Sequence, residues 1–209
     1  MRSERVFTNM TCSQSCTYCT SRSGAEVRAF VAPAAVRERI DQALAGGADE
    51  LALTGGEPTL RRDLAALVAY ARDKGAKTIV LETNATGIDA ALAGGLAAAG
   101  LSVARVNLAG PDARLDEVTR DPGGFERACA GITALRQAGI KLDFACALVR
   151  STRGFAAELP AAIARAAGGA EHVRTLWISV PTQSPSPAEL LSFEESAPAI
   201  LAFEKAAGS

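Results

Sequence analysis

No stretch of the chain approaches the roughly 20 consecutive apolar residues that a bilayer span requires. The amino terminus also lacks a basic segment followed by an apolar run. A soluble, cytoplasmic protein is therefore expected, with no membrane partner. Charge of one sign is missing too: 22 Lys+Arg stand against 23 Asp+Glu, a net charge of −1. Binding to a phosphate backbone needs a surplus of cations gathered on one face, so nucleic acid is not an expected partner. Cysteine is limited to five and histidine to one. Three of the cysteines crowd into Cys12, Cys16 and Cys19, while Cys129 and Cys146 stand apart. A secreted disulfide framework would spread an even set along a short chain, so a metal site in a reducing compartment is the better reading.

What the sequence does hold is an ordinary globular composition, 48% hydrophobic and 22% charged over 209 residues, with the length to build a self-sufficient core. Short β-branched runs alternate with helix-period segments. Strands are expected at Arg5–Thr11, Glu50–Thr54, Lys77–Asn84, Ser102–Leu108, Lys141–Val149 and His172–Val180. Helices are expected at Ala34–Leu44, Leu60–Lys74, Asp89–Ala98, Phe125–Gln137, Phe155–Ala167 and Glu189–Ala207, the last interrupted by Pro198. Six strands separated by helices describe βα units feeding a parallel sheet, an α/β fold. No Pro- or Ser-rich linker divides the chain, and residues 1–209 read as one domain. Pro181–Pro187 reads as a loop ahead of the closing helix.

The chemistry is concentrated after the first strand, in Cys12-Ser13-Gln14-Ser15-Cys16-Thr17-Tyr18-Cys19. Three thiolates this close suit one compact soft-metal centre. A structural zinc would want a fourth ligand and paired Cys-x-x-Cys spacing, which does not follow. In a cubane iron–sulfur cluster, three cysteines leave one iron without a protein ligand, an open place for a substrate or cofactor. A second feature, Thr54-Gly55-Gly56-Glu57-Pro58, ends the second strand.

Together these motifs resemble the signature of the radical S-adenosylmethionine (radical SAM) enzymes: Cys-x3-Cys-x2-Cys with an aromatic before the last cysteine, then Gly-Gly-Glu. The segment from Val106 through Gly139 is similar to the branch containing peptide maturases and the molybdenum-cofactor cyclase. The resemblance implies a partial (β/α)6 TIM-like barrel with its site at the carboxyl ends of the strands. It implies one [4Fe-4S] cluster on Cys12, Cys16 and Cys19, with S-adenosylmethionine on the fourth iron. Gly55 and Gly56 would let backbone approach the cofactor, Glu57 would accept from its ammonium group, and Pro58 would fix the turn. Tyr18 would lie near the adenine. Asn84 and Asn107 would reach the ribose or carboxylate, and Arg120 would correspond to a carboxylate-binding arginine. An external one-electron donor such as a flavodoxin or ferredoxin is implied as a partner. The mid-chain similarity points to a peptide or natural-product substrate, with a small metabolite or nucleoside, activation of a partner protein, or a non-catalytic cluster module as alternatives.

Further expectations come from the residues themselves. Alternation puts Glu82 with Asn84 and Arg105 with Asn107, so that Glu82 and Arg105 should pair inside the barrel beneath the cofactor. Cys129 and Cys146 are expected to be buried and inert. His172 falls at the barrel end away from the motifs and Trp177 in the core. With no cysteine after Cys146, auxiliary clusters and a carboxyl-terminal substrate domain are not expected. The loops Ser21–Val31 and Gly110–Gly124 are where substrate selection should lie.

Overall fold

In the computed structural model, which describes residues 2–19, 30–184 and 186–208, six parallel strands alternate with helices. The strands are β1 (Ser3–Asn9), β2 (Glu50–Gly55), β3 (Thr78–Thr83), β4 (Val103–Asn107), β5 (Lys141–Ala147) and β6 (Val173–Ser179). They form one sheet in sequence order, open between β1 and β6. This is the expected α/β partial barrel. The helices are α1 (Pro33–Ala45), α2 (Leu64–Asp73), α3 (Ala90–Ala99), α4 (Leu115–Thr119), α5 (Gly124–Gln137), α6 (Leu159–Ala167) and α7 (Phe193–Ala207). Among the described residues, no helix is long and apolar enough to cross a membrane.

Several boundaries differ from the periodic pattern for local reasons. Helices α2 and α6 begin late because 3-10 turns at Pro58–Leu60 and Arg153–Phe155 precede them. The short α4 lies inside a stretch with too few residues to show a period. Helix α7 runs through Pro198 instead of breaking there. Its start is secured by a capping box between Ser192 and Glu195, which offsets the one hydrogen bond that proline forfeits. Most of the Ser21–Val31 loop lies outside the described residues.

Period-2 alternation divides the sheet into two unlike faces. Leu51, Leu53, Ile79, Leu81, Ala104, Val106, Leu142 and Phe144 pack with Val36, Ile40, Leu67, Leu96, Ile132, Leu135 and Ile163 of the helices. Each such full burial is worth roughly 1.5–3 kcal/mol, which holds the helical layer on. The other face carries a small apolar cluster of Ala52, Val80 and Val103 and a layer of charge. Glu82 and Arg105 stand opposite each other in register, and Arg105 opposite Asp143. The Arg105 guanidinium donates to Glu82 at 3.1 Å and Glu50 at 3.2 Å, and lies 3.9 Å from Asp143.

The pair expected from alternation is therefore present, within a larger network. Arg5 also donates to Glu82, and Arg174 forks onto Asp143. A register shift between β5 and β6 leaves Arg174 outside the pairing ladder and lets it reach across. Three guanidiniums thus meet three carboxylates: Arg105 and the acids are largely buried, and Arg5 and Arg174 reach them from exposed positions. Burial pushes the Glu82 carboxyl up, but the bonds from Arg5, Thr54 and Arg105 outweigh it and hold the group below its ordinary value. Trp177 closes the layer, with its ring centre 5.3 Å from the Arg105 guanidinium.

Candidate metal centre

The cysteine loop leaves the carboxyl end of β1 and is fastened from three sides. Asn9, fully buried, donates through Nδ2 to Thr11 O at 2.7 Å and Glu57 O at 3.1 Å. The Gly56 and Glu57 amides donate back to Asn9 O and Thr11 O, both at 2.8 Å. On a second side, the Ser15 and Thr17 amides donate to Thr119 O and Val118 O, both at 3.0 Å, docking the loop on the end of α4. Gln14 Nε2 adds a bond to Asp121 at 3.1 Å. On the third, Asn84 at the end of β3 donates to Ser13 Oγ at 3.0 Å. Inside the loop, a turn closed by Cys19 N to Cys16 O brings those two residues together.

The thiols suit a soft iron–sulfur centre. No disulfide joins any of the five cysteines. The Cys12 Sγ accepts the Gln14 amide at 3.4 Å and Asn84 Nδ2 at 3.9 Å. Such N–H to sulfur contacts favour a charged, liganding thiolate. Burial and then the neighbouring acidic groups push Cys12 up to about 11, and burial with repulsion from Cys19 and Cys12 pushes Cys16 up to about 12. Cys12 and Cys16 are thus poorly ionised until positive metal offsets their charge. Among the described residues, no three His, Cys, Asp or Glu side chains converge to hold a single ion. In a cubane, Cys12, Cys16 and Cys19 would each hold one iron and leave the fourth open.

The two glycines and Glu57 also make close contacts within the protein. Gly55, at φ +144°, would place a Cβ 2.1 Å from Asn9 O, and Gly56 would place one 2.0 Å from Thr11 O. Side chains are excluded here because the turn after β2 presses on the start of the cysteine loop, whatever else approaches it. Glu57 is 1% exposed, and its carboxylate is spent on the protein. It accepts from Thr59 N and Oγ1, from Thr83 Oγ1 and from Asn84 N at 2.7–3.1 Å. Burial nonetheless pushes its carboxyl above the ordinary value. The residue clamps the end of β3 to the turn after β2, with Oε1 accepting three of these bonds and Oε2 one. Pro58 opens a 3-10 turn and is buried, as a turn-fixing residue should be.

Tyr18 is buried in the core cluster, and its hydroxyl accepts from Asn107 Nδ2 at 3.1 Å. Asn84 uses Oδ1 for Thr86 N and Oγ1 and Nδ2 for the cysteine loop. Asn107 is exposed at the barrel mouth. Arg120, also exposed, directly follows the Thr119 carbonyl that holds Ser15, and adopts a left-handed φ of 52°. Ala85, beside Asn84, is the other non-glycine residue in that region among those described, at φ 61°. Both strained positions adjoin the cysteine loop's supports. Asn9, Ser13, Gln14 and Thr83 complete the site without having signalled themselves in sequence; only the position of Asn9 at the strand end hinted at it. Cys146 is buried, its Sγ donating to Leu108 O at 3.1 Å, and Cys129 is partly buried in α5.

Comparison with known proteins agrees with this architecture. The chain is 34% identical over 140 residues to Fe-coproporphyrin III synthase of Methanosarcina barkeri, covering 66% of this chain and 35% of that protein. It is 38% identical over 98 residues to AdoMet-dependent heme synthase of Nitratidesulfovibrio vulgaris, covering 46% and 26%. The chain thus spans about a third of the length of these relatives. Streptococcus suis SuiB bound to S-adenosylmethionine superposes with a TM-score of 0.73 at 16% identity, over 91% of this chain and 43% of that one. A family model described as Radical SAM superfamily matches residues 7–149, from β1 through β5 and the whole of both motifs. This chain belongs to the Radical SAM superfamily.

Proposed function

We propose that the chain is the cofactor-cleaving core of an enzyme that takes a hydrogen atom from an unactivated carbon of a small tetrapyrrole. The observation that carries the radical chemistry is the three-thiol loop stitched to the Gly55-Gly56 turn at the carboxyl ends of parallel strands. When bound, a [4Fe-4S] cluster and S-adenosylmethionine supply the hard step: one electron from an external donor splits the sulfonium into methionine and a 5′-deoxyadenosyl radical, which then accepts the substrate hydrogen. The chain's part is to bind, orient and shield. Cys12, Cys16 and Cys19 would hold three irons and leave the fourth for the cofactor. Asn107 and Arg120 stand at the mouth with polar groups suited to a ribose and a carboxylate. The Arg105 layer fills the barrel interior below and keeps water from the reacting carbon.

The tetrapyrrole reading is supported by sequence likeness. Relatives above 30% identity include proteins named for heme and Fe-coproporphyrin III synthesis. SuiB bound to its precursor peptide SuiA shares 18% identity, which speaks for the fold alone. The peptide preference suggested by the mid-chain similarity therefore takes second place. Anaerobic turnover with dithionite, S-adenosylmethionine and either an iron porphyrin bearing carboxylate side chains or a short unstructured peptide separates the two. The expected result is 5′-deoxyadenosine formation stimulated by the porphyrin, with a mass change in it. Stimulation by the peptide alone overturns the tetrapyrrole assignment.

A further inference from the structure

Between the first two cysteines the loop sends one polar side chain inward. Gln14, two residues from Cys12 and from Cys16, is 8% exposed and meets the junction of α4 and α5 at Asp121. Its Nε2 donates to Asp121 Oδ2 at 3.1 Å, and its Oε1 accepts from the Cys16 thiol at 3.8 Å. A carboxylate only accepts, so Asp121 dictates which end of the amide faces which partner: nitrogen to Asp121, oxygen to Cys16. The Tyr18 hydroxyl also reaches this sulfur.

Asp121 is itself held in place. Its Oδ1 accepts from Arg127, which leaves Oδ2 to Gln14. The Asp121 amide donates to Asp116 O at 3.1 Å, and its carbonyl accepts from Gly124 N at 2.8 Å. Gly124 leaves room for the carboxylate, since a Cβ there would lie 2.6 Å from Asp121 Oδ2. The Asp121 side chain is 13% exposed, against 48% for Arg127. The Ser15 and Thr17 amides, on either side of Cys16, are fastened to the end of α4. Cys16, Gln14 and Asp121 therefore share one frame.

The orientation of the amide has a redox consequence. An N–H bond to a liganding sulfur stabilises the more negative, reduced cluster and raises its potential. An amide whose nitrogen is claimed by a carboxylate cannot supply that bond. Once iron has displaced the Cys16 proton, Gln14 Oε1 has nothing to accept there, and Asp121 is what keeps the amide from turning over. We propose that Asp121 is a positioning residue that, through Gln14, withholds an N–H bond from the Cys16 sulfur and so keeps the cluster strongly reducing, the proposal resting on the radical reading above. A strongly reducing centre is what electron transfer into a sulfonium demands.

The test is a dithionite redox titration of the reconstituted protein, followed by the electron paramagnetic resonance of the reduced cluster, in the parent, Asp121→Asn, Gln14→Leu and the double variant. In Asp121→Asn the new amide keeps its oxygen on Arg127 and turns its NH2 to Gln14, which rotates and gives its own N–H to Cys16. Iron and sulfide per chain stay as in the parent. The ratio of reduced to oxidised cluster, at a fixed potential near the parent's midpoint, rises about three- to tenfold. In the Gln14→Leu background the same substitution gives a smaller rise, that of the lost charge alone. Gly124→Ala, which drives Asp121 Oδ2 off Gln14, also raises the midpoint and serves if Asp121→Asn does not fold. An unchanged or lower midpoint in Asp121→Asn, or an equal rise with and without Gln14, overturns the proposal and leaves the radical reading standing. A parent that assembles no cluster, or whose reduced cluster does not cleave S-adenosylmethionine, strikes the radical reading itself and the proposal with it.

Discussion

The mouth and the interior floor of the same barrel solve opposite problems. At the floor, Arg5, Arg105 and Arg174 are matched by Glu50, Glu82 and Asp143, all on strands, with only Arg174 at a register shift. At the mouth the backbone is forced: Ala85 and Arg120 are left-handed, Gly55 and Gly56 press on Asn9 and Thr11, and burial disfavours the charged form of Cys12 and Cys16. The floor matches its charges within the protein, although the buried Arg105 Nε has no hydrogen-bond partner among the described residues, and the mouth is arranged to be completed by something else. The difference follows the rule for parallel barrels, in which the carboxyl end carries function and the rest carries stability.

The largest effect expected is at the floor. Removing one partner of a buried network leaves uncompensated charge, so Arg105→Ala should cost about 3–5 kcal/mol in urea unfolding. Cluster absorbance should survive wherever the variant remains folded. A variant that loses the cluster while keeping its stability would erase the distinction between the two ends. At the mouth, Gly56→Ala drives a methyl into Thr11 O and should cost about 1–3 kcal/mol, with loss of cluster binding on reconstitution out of proportion to the fall in stability. Equal stability and equal iron content would show that the turn does not press on the loop.

The floor also has a sign in pH. The Glu82 carboxyl is held below its ordinary 4.5 in the folded protein. Its contribution is therefore present above that value and is lost as pH falls through the lower folded value. Glu82→Gln should flatten the acid limb of stability in that window, as read from unfolding midpoints between pH 5 and 3. An unchanged slope would mean that other carboxylates dominate. The smallest effect expected is for Tyr18→Phe, which removes the acceptor for Asn107 and should cost about 0.5–1.5 kcal/mol, with iron and sulfide content unchanged.

How much of this was legible beforehand depends on how local each feature is. The strand and helix order follows from periods of two and about 3.6 in the sequence, and the Glu82–Arg105 pair from alternation on neighbouring strands. The cysteine spacing and the Gly-Gly-Glu run were visible because they are contiguous. What those glycines approach was not, since Asn9 and Thr11 lie more than forty residues away from them. The donors that occupy Glu57 come from β3, and the full membership of the floor needs Glu50 from β2 and a register shift at Arg174. Tyr18 shows in sequence as the aromatic before the last cysteine, and only the fold brings Asn107 to its hydroxyl.

The central claim is that Cys12, Cys16 and Cys19 bind a cluster that cleaves S-adenosylmethionine, with Cys146 a bystander in the core. Anaerobic reconstitution with iron and sulfide, reduction by dithionite and an assay for 5′-deoxyadenosine test it directly in the parent, Cys16→Ala and Cys146→Ala. The account predicts brown absorbance and product in the parent and in Cys146→Ala, and neither in Cys16→Ala. Loss of the cluster in Cys146→Ala, or zinc and no cluster in the parent, would contradict it.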